Sequence, residues 1–340
     1  MAVQGSRWAG VKRRLIAHIE IWRLDLFSYA GLVSLSGAML ASPDRPVWRL
    51  VGAWAAPTLG WLAAMYGGDF FDRDLDAVAK PQRPVPSGRV RPTEAFAGMV
   101  TCVALGAVIA SLLNPLSLVV VAAALTLGVS YSAYFKAHGI LGNLVRGGVT
   151  AMAFLQGTLA MSPTPPLRLL PIALIFWCHD SGSNVVGAIC DREGDRRGGY
   201  RTVPVRHGDT AALRLMVAFD ALWLGLAVGY PPTLGRGFNL PAYGPILGVA
   251  AALGLVSAGM LLRAPRPVPR LIALRAHEVL VVERLVLTTA LIGAVVGVGP
   301  AVLLFIPSAT ATVVAAITFM RRSYEPSRAR NPKDTAAIRA

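Results

Sequence analysis

Trp61-Leu62-Ala63-Ala64-Met65-Tyr66-Gly67-Gly68-Asp69-Phe70-Phe71-Asp72-Arg73-Asp74-Leu75-Asp76 carries an apolar segment straight into four aspartates. The apolar part belongs to one of many runs of about twenty residues, the length that crosses the hydrocarbon core of a bilayer as a helix. Such runs recur at 26–43, 48–67, 93–113, 115–134, 141–162, 167–188, 210–230, 241–262, 282–299 and 301–320. None alternates as a transmembrane β-strand would. The pattern therefore predicts an all-α, polytopic membrane bundle of ten helices, or nine if the last two runs form one. Carboxylates at the end of a membrane helix are costly without a partner. A second group, Asp191-Arg192-Glu193-Gly194-Asp195, follows the 167–188 run. Seven of the 18 acidic residues lie in these two stretches, so they read as sites and not as scattered solvated charge.

The composition agrees with a membrane bundle. Only 15% of the 340 residues are charged and 54% are hydrophobic, where a soluble domain carries about a quarter charged residues. The formal net charge of +15 suggests nucleic acid until its distribution is followed. With the N-terminus placed inside, only Arg45, Arg49, Arg168 and Arg236 of the 33 Lys and Arg fall outside. The basicity thus reports topology, with both termini and the aspartate-bearing mouth on the cytoplasmic side and no nucleic acid as partner. A single crossing over 282–320 would strand Arg321, Arg322, Arg328, Arg330 and Lys333 outside, so two crossings broken near Gly299-Pro300 are expected. Residues 1–25 read as an amphipathic surface segment with Trp8 and Trp22 at the interface. Residues 26–322 read as the membrane domain and 323–340 as a disordered cytoplasmic tail. The basic start (Arg7, Lys12, Arg13, Arg14) leads into a stretch with Glu20 and Asp25, unlike a cleavable signal peptide. Cys102, Cys178 and Cys190 stand at unrelated spacings and suggest neither a disulfide framework nor zinc.

Asp69, Asp72 and Asp76 stand at i, i+3 and i+7 and share one helical face, from which Asp74 points away. Asp191 and Asp195 are i, i+4 neighbours, and Asn184 lies on the same stripe. Like charges at these spacings repel, and a bound cation resolves the repulsion. Oxygen-only ligands favour Mg²⁺, which takes one or two carboxylates and completes its shell with water and substrate phosphates. Positive charge follows each group: Lys80, Arg83, Arg89 and Arg91 after the first, Arg196, Arg197, Arg201 and Arg206 after the second. Metal with Arg and Lys makes a clamp for a departing phosphate group, so the expected ligand is a diphosphate.

In these residues the chain resembles the UbiA-type membrane prenyltransferases. Their first motif, Asn-Asp-x-x-Asp-x-x-x-Asp followed by Arg-Pro-x-Pro-Ser-Gly, is matched by Asp69, Asp72, Asp76 and Arg83-Pro84-Val85-Pro86-Ser87-Gly88. Asp191 and Asp195, with Arg201-Thr202-Val203-Pro204, match the second. Tyr131-Ser132-Ala133-Tyr134-Phe135-Lys136 and Gly139-Ile140-Leu141-Gly142-Asn143 are similar to the central Tyr/Lys segment. Gly68 replaces the usual Asn, and Gly187 and Ala188 stand where many members are polar. The resemblance implies Mg²⁺ on Asp69, Asp72, Asp76, Asp191 and Asp195, and an isoprenyl diphosphate at the mouth. Lys136 and Arg83 would steady the leaving diphosphate, while Arg201, Tyr131, Tyr134 and Asn184 would bind substrate. An acceptor, commonly an aromatic ring, would then capture the allylic cation. The same ionisation without an acceptor would make a membrane terpene cyclase. A secondary transporter is disfavoured because the carboxylates crowd one side and no internal repeat is evident.

Deeper in the sequence, His179-Asp180 sits inside the sixth run. Asp180 lies about 16 Å from Asp191 along a helix, a distance for the prenyl tail or the acceptor and not for the metal. Its alternative role is a polar pair packing two helices. Asp220 reads as a helix-packing group, and Glu278 and Glu283 as interface residues around a basic 263–284 loop.

Overall fold

The computed structural model of the chain describes residues 2–24, 26–235 and 237–320. Asp25, Arg236 and the tail expected over 323–340, with its preceding Arg321 and Arg322, lie outside the described residues. Among these, the chain forms twelve α-helices and no strand. They are α1 (Ala2–Trp22), α2 (Tyr29–Ala41), α3 (Val47–Phe71), α4 (Arg73–Ala79), α5 (Pro92–Leu113), α6 (Ser117–Ala133), α7 (Ile140–Met161), α8 (Leu170–Arg197), α9 (Val203–Gly229), α10 (Leu240–Arg263), α11 (Arg270–Val296) and α12 (Val298–Ala315). All except α1 and α4 fall on the ten apolar runs. Of these, α5, α9, α10, α11 and α12 are each long and apolar enough to cross a membrane, while α2 and α6 are apolar but shorter.

Burial sorts the helices. In α11, 78% of the most apolar window is buried, against 17–28% in α5, α9, α10 and α12. α11 is therefore the central helix. The outer helices turn large apolar side chains outward, among them Leu105, Val108 and Leu112 on α5, Leu255 and Val256 on α10, and Leu303 and Ile306 on α12. In water this would be an aggregation hazard; in lipid it is the solvated face. With hydrophobicity equal on both sides of a helix, close packing must hold the bundle together. Small residues supply it where α7 crosses α2. A Cβ at Gly157 would lie 1.7 Å from the Ser34 carbonyl oxygen, and one at Gly37 would lie 2.4 Å from that of Phe154.

Two sequence expectations change. The break between the last two helices falls at Gly297, whose φ of +83° suits glycine, and not at Gly299-Pro300. The segment expected as a basic loop up to 284 is helical from Arg270, entered through Pro269 in an extended conformation. Glu283 is then fully buried and no interface residue, whereas Glu278 pairs with Arg275 at 2.7 Å. Hydropathy under-read α11 because its polar side chains face other polar side chains inside the bundle.

The loops at the motif-bearing end are tied to one another. Arg201 N–H donates to the Ala137 carbonyl at 3.0 Å, pairing the α8–α9 link with the α6–α7 link. Asp209 on α9 accepts from the Val268 N–H at 2.6 Å and from Arg192 of α8. Glu20 of α1 takes a forked pair from Arg89 in the α4–α5 link. Ala17 and Ile21 of α1 pack against Ala63 and Tyr66 of α3, and Trp22 donates to the Tyr66 hydroxyl at 2.8 Å. Its Lys12, Arg13, Arg14, Leu15 and Ile16 remain exposed. At the other end, Arg49 bonds the Ala160 carbonyl, and Asn114 bonds those of Leu159, Ser162 and Pro163.

Candidate active site

The first motif bridges two helices. α3 ends at Phe71 and α4 begins at Arg73, yet backbone bonds Asp72 N–H to Gly68 O and Asp76 N–H to Asp72 O carry the helical path through. Asp69, Asp72 and Asp76 therefore keep their shared face, and Asp74 is exposed. The three carboxylates are not equivalent. Arg83 forks toward two of them, hydrogen-bonded to Asp76 and 3.8 Å from Asp69, which also has Arg23 at 3.8 Å. Asp69 and Asp76 are buried and already partly neutralised. Asp72, half-buried, is the member left to face the centre. Arg83 is thus a brace of the motif, a role that spacing alone did not distinguish from phosphate binding.

The second motif closes the last turns of α8. Lys136 stands between the motifs on the 3₁₀ turn Phe135–Ala137, its ammonium 5.2 Å from the Tyr200 ring. Burial pulls its pKa down, but Tyr131 and the Asp195, Asp191 and Asp72 carboxylates outweigh that and hold it above the ordinary lysine value. The reach of one ammonium to all three carboxylates brings both motifs to one place. Burial pushes the Asp195 carboxyl up to about 6, with Asp191 adding to the rise and Lys136 and Lys80 opposing it. Desolvation of the carboxylate is thus the main cause, and the neighbouring Asp191 charge adds to it. Among the described residues no three His, Cys, Asp or Glu side chains gather into a closed metal cluster. Two facing carboxylate groups with oxygen donors only suit an ion whose shell is completed by substrate phosphates.

Asn184 donates to the Tyr131 hydroxyl at 3.3 Å and accepts from Asn143 at 2.9 Å, so α6, α7 and α8 are stitched just inside the motifs. Tyr134 is exposed and stacks on His138 at 3.9 Å between ring centroids. The Arg201 side chain is also exposed, and the residue's recorded tie to the site is through its backbone. A Cβ at Gly68 or Gly187 would meet no atom within 4 Å. The missing polar side chains leave open space at the mouth.

The sequence profile of the UbiA prenyltransferase family matches residues 30–276, which include both motifs and the Lys136 segment. The chain belongs to the UbiA prenyltransferase family. It is an integral membrane prenyltransferase. A digeranylgeranylglyceryl phosphate synthase of Ignicoccus hospitalis is 32% identical over 260 residues, covering 75% of this chain and 84% of the relative. The fold is similar to that of a UbiA homologue from Aeropyrum pernix, with TM-score 0.67, 19% identity, and 78% and 96% of the two chains covered. It is also similar to a UbiA homologue from Archaeoglobus fulgidus solved with GPP and Mg²⁺, with TM-score 0.61, 16% identity, and 81% and 99% covered.

Deeper in this prenyltransferase lies a polar group that the motif reading only touched. Asp180 is buried on α8, hydrogen-bonded to Thr150 and 3.6 Å from Arg146, both on α7. His179 Nε2 bonds Glu283 of α11, while its Nδ1 lies 3.7 Å from Asp180. The expected His179-Asp180 pair is therefore part of a larger network across α7, α8 and α11. Arg284 adds a second guanidinium, 4.9 Å above the Tyr29 ring. A desolvated cation–π contact returns about 2 kcal/mol, short of the several kcal/mol needed to bury an ion. Among the described residues its Nε and Nη2 have no hydrogen-bond partner, nor does the Tyr29 hydroxyl. His277 on α11 is in electrostatic reach of Arg284, Asp191, Asp180 and Arg146, and so links this network to the second motif. Asp220 accepts from Trp223 at 3.2 Å, in line with a packing role. Arg146 and Arg284 escaped the sequence reading although both sit in apolar runs, where an ionisable residue is itself a signal.

Proposed function

We propose that this chain moves a prenyl group from an isoprenyl diphosphate to the hydroxyl of a prenylated glyceryl phosphate, with Mg²⁺ bound between the two aspartate motifs at the cytoplasmic mouth. The observation that carries the reading is the Arg201–Ala137 backbone bond, which sets the Lys136 turn beside the loop that follows the second motif, with the Lys136 ammonium in electrostatic reach of Asp72, Asp191 and Asp195. Asp72, Asp191 and Asp195 would hold the ion, with Asp69 and Asp76 shaping the first motif behind it. Bound there, Mg²⁺ supplies neutralisation of the diphosphate charge. Lys136 donates hydrogen bonds to the departing diphosphate oxygens, and its charge favours their release. The bond between the prenyl C1 and the diphosphate oxygen breaks. A bond from C1 to the acceptor oxygen forms, and the hydroxyl proton passes to the released diphosphate. The apolar bundle keeps water from capturing the allylic carbon first.

The name of the Ignicoccus hospitalis relative, and the same name on one from Methanopyrus kandleri that is 30% identical over 211 residues, favour a glyceryl phosphate over the aromatic ring first expected. The test uses membranes carrying the protein, labelled geranylgeranyl diphosphate and geranylgeranylglyceryl phosphate. The expected product is a doubly prenylated glyceryl phosphate that requires Mg²⁺. Asp72→Ala and Asp191→Ala should each lower turnover by about 10²–10³. Unchanged turnover in both variants would overturn the assignment. Transfer to an aromatic phenol instead would replace the acceptor and leave the donor site standing.

A further inference from the structure

We propose that Arg284 and Arg146 form an oxyanion site inside the bundle that holds the acceptor's phosphate; this rests on the glyceryl phosphate reading above. Arg284 is 4% exposed. Among the described residues no carboxylate lies within ion-pair distance of it. Each neighbouring carboxylate is already engaged: Glu283 by His179, and Asp180 by Thr150 and Arg146. Among the described residues Arg284 Nε and Nη2 are therefore both unbonded, as is the hydroxyl of Tyr29, over whose ring the guanidinium lies. A guanidinium whose two donors lie on one edge matches two oxygens of a phosphate. Burying such a group without a partner is unfavourable, and a ligand that arrives with the substrate removes the penalty only when it is bound.

Placement supports the acceptor over the donor. Arg146 and Arg284 both act on Asp180 and on Tyr29, so they belong to one pocket of charge. Arg284 lies seven residues beyond His277 along α11, about 10 Å further from the motif-bearing end. The donor diphosphate belongs with Lys136 and the aspartates. An anion bound at Arg284 is a second one, carried by the other substrate, and its hydroxyl would point back toward the mouth.

Binding of two lipids to the purified full-length protein in nanodiscs, without donor, reads this site independently of turnover. The probes are geranylgeranylglyceryl phosphate and geranylgeranylglycerol, which lacks the phosphate. The wild type should bind the phosphate lipid at least about tenfold more tightly. Arg284→Gln should bring the ratio near one, Arg284→Lys should restore part of it, and binding of prenyl diphosphate with Mg²⁺ should be unchanged in both. Equal binding of the two lipids by the wild type would overturn the proposal, as would a preference that persists in a diphosphate-binding Arg284→Gln protein. A phosphate preference in a protein that performs no prenyl transfer would sink the catalytic reading and leave the anion site intact.

Discussion

Removing the Arg83 guanidinium would take from the buried Asp69 and Asp76 the cation they share, leaving Asp69 with Arg23 at 3.8 Å. Two carboxylates so placed take up a proton or swing apart, and either outcome disturbs Asp72 between them. Residues that orient metal ligands typically cost 10–100-fold when removed. Arg83→Ala should therefore raise the Mg²⁺ concentration for half-maximal activity by about that factor. An unchanged Mg²⁺ midpoint would show that Arg83 does not position the motif. The aspartates themselves were legible as a pattern, because spacing fixes which side chains share a face. Their division of labour was not, since a brace and a phosphate ligand are the same residue type in a sequence. Arg284 shows the complement: one arginine in an apolar run looks like a helix end until its neighbours are known.

At the scale of elements, the helices on the ten apolar runs were readable because apolar length is a one-dimensional property. Their ends were less so. α8 continues nine residues past its expected run, to Arg197, because its polar turns face a polar site. α9 is broken at Gly208, with φ +78°, so the Val203-Pro204 turn is set apart from the long helix. The tightest element contact is the α2–α7 crossing. Gly157→Ala would drive a methyl into the Ser34 carbonyl, and overpacking of this kind costs about 1–3 kcal/mol. The variant should melt several degrees lower in detergent, whereas Gly187→Ala, whose Cβ meets nothing within 4 Å, should melt as the wild type does. Equal melting of both variants would contradict the close crossing.

For the whole molecule, pH and topology give two further tests. The Asp195 carboxyl is raised to about 6 by burial first. A carboxylate raised in the folded state contributes stability that is full below its unfolded value and lost as pH rises through about 6. A cation needs the ionised form, so the two demands oppose. The Mg²⁺ midpoint should be flat above pH 7 and climb by roughly tenfold per unit below 6, as one proton competes for the site. A flat midpoint down to pH 5 would remove Asp195 from the metal set. Topology is the second: reporters fused at Met1 and Ala340 should both act as cytoplasmic, and opposite signals would fix an odd number of crossings. Charge asymmetry is the sequence's argument for that orientation, whereas the meeting of α7, α8 and α11 around Asp180 required the fold.

The backbone tie between Arg201 and Ala137 sets a fixed gauge at the mouth. Lys136 and the second motif hang from opposite sides of that tie, so their separation is held by main chain and does not depend on what either side chain binds. A mouth built this way would present the same spacing to the donor's diphosphate, whatever acceptor is offered. Change of acceptor must then be written further in, along α7 and α11, where side chains alone decide what fits.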